Sequence, residues 1–167
     1  PVRGQVPRPG ARDLVRARTS VVMACGVATG VMVLAGIFFY VAAVPLAALF
    51  LKGSSQEVIP LAAQLLRVVA YAMAPLALVM VLVGALRGAG DTRWPLALNL
   101  LGIVFFRVPL ALYLSHGTIH LPLVDASIQG LGLGVVGAWY AAVTDIVVRC
   151  VLLMLRFRHD AWQRIDV

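Results

Sequence analysis

Acidic side chains are scarce in this sequence: Asp and Glu together number seven in 167 residues, and all charged residues make up only 13%. An average globular domain carries about 25%, so most of this chain cannot face water. The few carboxylates are scattered rather than paired for general acid–base work. Nucleophile elbows, phosphate-cradling loops and zinc-protease spacings are absent, and "GALRGAGDTRWP" at 84–95 lacks the full dinucleotide-binding pattern and follows no strand. Cysteine is equally sparse. Cys25 and Cys150 stand alone in different apolar stretches, which excludes a disulfide framework and a redox motif. His116 and His120 have a spacing that a metal accepts on a helix, but Gly117 and Pro122 point to a loop and no third ligand is near. These absences leave no enzyme chemistry to assign, and neither a cofactor nor a metal is expected.

Apolar residues, by contrast, make up 62% of the chain, and the mean hydropathy is +0.96. That is more apolar surface than one water-soluble core of this size can hide. About 20 apolar residues cross the roughly 30 Å hydrocarbon layer as a helix, which satisfies its own backbone amides where lipid cannot. Four stretches qualify, at about 20–43, 58–86, 94–115 and 130–155. Pro45 separates the first from a short interfacial turn over 46–51. The fold class is therefore all-α integral membrane, with a basic lead-in over 1–18, a membrane domain over 19–156 and a tail over 157–167.

The basic residues alternate with the spans. Arg3, Arg8, Arg12, Arg16 and Arg18 precede the first span, Arg87 and Arg93 flank Asp91 in the 84–95 connector, and Arg156, Arg158 and Arg164 follow the last. The other two connectors hold only Lys52. The positive-inside tendency then places both ends and the 84–95 connector in the cytoplasm of a cell whose inner membrane holds the chain. The net charge of +7 and pI near 10.5 would otherwise suggest nucleic acid, but basic residues confined to alternate membrane ends speak against it. Glycines recur four apart at Gly26 and Gly30, Gly84 and Gly88, and Gly130 and Gly134, with Gly137 on the last face. Small residues at that spacing let helix backbones approach closely in lipid. Gly88 and Gly90 let the connector turn before Pro95 opens the next helix.

Charge inside a span costs about 2.5 to 3.5 kcal/mol at the centre and needs a partner or water. Asp145 and Arg149 are four apart and can pair on one helical face; the rise from Gly130 puts Asp145 about 22 Å along its span, towards the cytoplasmic side, with Arg149 reaching the headgroups. Gln64, Arg67, Tyr71 and Pro75 recur at spacings of three or four and make a polar-aromatic stripe on the second span, from which Arg67 also has the reach to snorkel to outer headgroups. Asn99 and Arg107 are eight apart near one face of the third span and are expected to hydrogen-bond a neighbouring helix.

The string "GALRGAGDTRWPLALNLLGIVFFRVPLALYL" at 84–114, followed by "GLGVVGAWYAAVTDIVVRCVLLMLRFRHDAW" at 132–162, resembles the C-terminal part of a multidrug and toxic compound extrusion (MATE) transporter. "ARDLVRART" at 11–19 and "LAALFLKGSSQEVIPLAAQLLRVVAYAMAP" at 46–75 are similar to the family's preceding segments, so the resemblance covers about residues 8–162. Its most specific element is GALRGAGDT with Pro95, Asn99, Arg107 and Pro109 after it. The resemblance implies a twelve-helix transporter of two six-helix lobes, of which these four spans are the ninth to twelfth, part of the C-terminal lobe. It also implies a partner in the missing N-terminal lobe and a small cationic or amphipathic substrate exchanged for protons or sodium by alternating access. Pro1 in place of Met and the proline-rich "PVRGQVPRPG" fit a fragment or truncated product.

On that resemblance Gln64, Arg67, Tyr71, Met73, Met80 and Asp145 are candidates for the substrate or ion pathway. Arg149, Asn99, Arg107, Gly84, Arg87, Gly88 and Asp91 are candidates for structure or gating. Pro75, Leu76 and Ala77 stand where a NorM-like branch carries a carboxylate two turns before GALRG, so the chain is more similar to a DinF-like branch, with protons favoured over sodium. A non-transporting four-helix scaffold and a related lipid-linked substrate flippase are the alternative readings.

Overall fold

A computed structural model describes residues 11–51, 58–121 and 126–158. Helix α1 spans Ala11–Val41, α2 Ala43–Phe50 and α3 Val58–Gly88; α4 spans Arg93–Leu101 and passes through a π-helical segment, Gly102–Arg107, into α5, Val108–Ser115. Two short strands, β1 (Thr118–Leu121) and β2 (Ala126–Gln129), precede α6 (Gly134–Arg158). Four stretches, Arg16–Val41, Val58–Gly88, Arg93–Ser115 and Gly134–Arg158, are long and apolar enough to cross a membrane. These boundaries correct the expected ones in three places. The first helix begins at Ala11, inside the expected lead-in. The last begins at Gly134, because 130–133 is irregular, with Gly132 at φ 65°. The loop after the third span holds an antiparallel hairpin that pairs Thr118 with Gln129 and Leu121 with Ala126, which takes His120 off any helix. The connector at 52–57 and Arg3, Arg8 and Arg164 lie outside the described residues.

Each break has a local cause. The chain leaves α1 at Ala42, and Pro45 falls in the first turn of α2, where its missing N–H costs nothing. Within α3, Pro75 deprives the Tyr71 carbonyl of its helical donor. Pro109 does the same to Phe105 in the third span; the preceding N–H of Val108 bonds to the Ile103 carbonyl five residues back, which is the π register. At the far end of α5 the carbonyls of Tyr113, Leu114 and His116 accept the N–H groups of Leu131, Leu133 and Gly132. The irregular 130–133 segment thus closes a helix end that lipid would leave unsatisfied.

Spans two and four form the centre. Leu82 and Leu86 of α3 pack on Leu153 and Phe157 of α6, while Ala43, Ala47 and Ala63 form a second cluster where α2 meets α3. The outer spans differ sharply. Gly36 is the one buried residue among those described on α1, and Pro95 is the one on the third span. Large side chains such as Phe105 are mostly exposed, which suits lipid and not water.

Glycine packing follows the expected set only at Gly130 and Gly137. A methyl group on Gly26, Gly30, Gly84, Gly88 or Gly134 would meet open space. Close approach occurs at the expected Gly130 and Gly137, the latter 2.5 Å from the Leu114 carbonyl oxygen, and also at Gly36, 3.0 Å from the Ala70 carbonyl oxygen. Helical spacing alone does not tell which face meets a neighbour. Gly134 does serve the chain through its positive φ of 59° at the entry to α6.

Candidate functional site

The connector between α3 and α4 ends one helix and clamps another. The N–H of Gly90 bonds to the Arg87 carbonyl and that of Asp91 to the Leu86 carbonyl, with Gly90 at φ 88°. This paired arrangement closes a helix C-terminus and requires a left-handed residue, so Gly90 rather than Gly88 makes the turn. The turn delivers Asp91 into the protein, where it is 5% exposed. Its carboxylate accepts a hydrogen bond from Arg156 Nη2 at 3.1 Å, and the Arg156 guanidinium stands 5.0 Å from the centre of the Trp94 ring. Asp91 therefore ties the α3–α4 connector to the end of α6.

A second polar bridge lies deeper. Arg149 Nε donates to Asp145 Oδ1 at 2.9 Å, Nη2 donates to Oδ2, and Nη1 donates to Asn99 Oδ1 across the helices. Asp145 is 1% exposed. It lies eleven residues into α6, about 16 Å along the helix at 1.5 Å per residue. That is close to mid-span, not on the cytoplasmic side, because α6 starts four residues later than expected. Arg149 is held by Asp145 and Asn99 rather than reaching the headgroups. Gly102 makes room for the pair: a methyl group there would stand 2.9 Å from Arg149 Nε and 3.0 Å from Asp145 Oδ1. Arg107 is exposed and has no hydrogen bond among the described residues, so only Asn99 makes the interhelical bond expected of both.

The stripe on α3 meets α1. The Arg67 guanidinium stands 5.7 Å from the centre of the Tyr40 ring, and Tyr40 and Tyr71 meet edge to face at 5.6 Å. Below them Val33, Gly36, Ile37, Tyr40, Ala70, Tyr71 and Ala74 line a cavity of about 300 Å³. Met73 packs beside Gly36, while Gln64 is exposed. Met80 belongs to another cavity of about 290 Å³, lined by Val79, Met80, Val83, Arg87, Pro95, Leu98, Asn99, Arg149 and Leu153. The six pathway candidates are thus divided: Arg67, Tyr71 and Met73 on the α1 side, Met80 and Asp145 on the α6 side, and Gln64 with neither. Sequence reading missed Tyr40, Gly36, Gly102 and the Asp91–Arg156 pair. Only the isolation of Tyr40 at the end of an apolar span was a visible signal.

The family model described as MatE matches residues 8–113, more than half of the chain. The chain belongs to the MatE family. MatE proteins are transporters rather than enzymes, and this member is a multi-pass membrane protein. An 81-residue stretch is 30% identical to the probable multidrug resistance protein NorM of Thermotoga maritima, covering 48% of this chain and 15% of that protein. The chain spans far less than two thirds of that relative's length. No solved structure matches.

Proposed function

We propose that this chain supplies four helices, the ninth to twelfth, of an ion-coupled exporter of cationic or amphipathic compounds that works by alternating access. Its partner is an N-terminal lobe, and both its ends lie in the cytoplasm of an inner-membrane protein. Membership of the MatE family and the printed name of the NorM relative support export as the activity. The observation that carries the reading is the Asp145–Arg149–Asn99 bridge near mid-span. A passive anchor has no use for a buried carboxylate at that depth, whereas transporters place such groups on moving helices. The pathway would include the α1–α3 cavity below Tyr40 and Tyr71, with Met73 beside Gly36 as adaptable apolar contact. Proton coupling and the DinF-like branch rest on the absence of a carboxylate at 75–77.

Drug-resistance assays in sensitive cells test this, with the chain expressed alone and joined to a MatE N-terminal lobe. Resistance that needs the lobe and drops at least tenfold with Asp145→Asn is expected. Resistance in neither case refutes export and favours a scaffold.

A further inference from the structure

The cavity between α3, α4 and α6 has a positive charge at its mouth without a counter-charge among the described residues. Arg149 is neutralised by Asp145. Arg87, in the last turn of α3, is exposed and has no ion-pair partner among the described residues. We infer that this cavity binds one anionic glycerophospholipid, with its phosphodiester at Arg87, its ester carbonyls at Asn99 and Arg149, and an acyl chain along Val83, Met80 and Leu153.

The donors lie at two depths, and that selects the ligand. Arg87 ends its helix at the connector, level with the headgroups. Asn99 is six residues into its span from Arg93, about 9 Å deeper at 1.5 Å per residue. Arg149 spends three of its five N–H groups on Asp145 and Asn99, and Asn99 accepts with its oxygen, which leaves its amide N–H groups to donate. A free phosphate would satisfy only the outer cation and leave the inner donors and apolar wall unused. A cationic compound would meet Arg87 unfavourably. A phospholipid presents acceptors at both depths in the right order, followed by hydrocarbon against Met80, which is 67% exposed. Basic pockets between membrane helices capture acidic headgroups in this way. The inference stands whether or not the chain exports anything.

Native mass spectrometry of the full chain in detergent tests it, by titration with phosphatidylglycerol, with phosphatidylcholine of the same acyl chains, and with inorganic phosphate. Preferential retention of one phosphatidylglycerol is expected, weakened about fivefold by Arg87→Gln and kept by Arg87→Lys. Met80→Trp, which fills the cavity without changing charge, is also expected to reduce retention. Arg93→Gln, on the same connector but off the cavity, is expected to leave it unchanged. Equal retention of the two lipids overturns the inference, as does an equal loss with Arg93→Gln. Displacement of the lipid by equimolar inorganic phosphate overturns it too, because the site would then read the anion alone.

Discussion

Helix α3 makes two unlike seams. Towards α6 it buries Leu82 and Leu86 against Leu153 and Phe157, and that seam is closed at one end by Asp91 and Arg156, while beside it Asp145, Arg149 and Asn99 brace α6 against α4 near mid-span. Towards α1 it buries no charge among the described residues. It relies on the approach of Gly36 to the Ala70 carbonyl and on a loose aromatic contact above an apolar cavity. Burying apolar groups against one another gains little in lipid, so helices are joined either by polar groups that have no other partner or by backbones that come close enough for dispersion. This chain uses the first on one side of α3 and the second on the other.

Four substitutions sharpen that contrast. The largest effect is expected from Asp145→Leu, which leaves Arg149 buried without its carboxylate: a loss of about 3 to 5 kcal/mol, read as a lower midpoint of unfolding in detergent, with partial recovery in the Asp145→Leu, Arg149→Met double variant. Gly137→Ala comes next, because its methyl group would collide with the Leu114 carbonyl and not with a movable side chain; overpacking of that kind costs about 1 to 3 kcal/mol. Tyr40→Leu removes one ring pair and the Arg67 contact, about 1 kcal/mol, and is expected to loosen α1 from α3 without disturbing α6, visible as faster hydrogen exchange confined to α1 and the facing half of α3. Gly84→Ala, with open space around it, is expected to be neutral or to stabilise by up to about 1 kcal/mol through helix propensity. A clear destabilisation there would show that another helix packs on this face.

The membrane spans were legible in the sequence because length and apolarity carry them directly. So was the Asp145–Arg149 pair, since a four-residue spacing is a local fact of helix geometry. The third member, Asn99, lies fifty residues away, and the Asp91–Arg156 clamp joins positions sixty-five apart. No local pattern specifies which helix lies beside which, and the outward expectation for Arg149 failed for that reason. The glycines teach the same point. Spacing marked Gly84 and Gly88, whose faces are open, and overlooked Gly36 and Gly102, which have no small partner four residues away but touch a neighbouring backbone or ion pair. On the α1–α3 seam, Arg67 and Tyr71 stood out as polar intruders in an apolar span. Their partner Tyr40 gave a weaker signal, because a tyrosine near the end of a span is also an ordinary interfacial residue.

The central claim is that this chain crosses a bilayer four times with the 84–95 connector on the side of both its ends. Single cysteines introduced after Lys52, at Ala89 and after Gly117, in a background lacking Cys25 and Cys150, can be probed in intact cells with a membrane-impermeant thiol reagent. The account predicts that the positions after Lys52 and after Gly117 are labelled from outside while Ala89 is protected until the cells are opened. Labelling of all three alike, or of Ala89 alone, would contradict it.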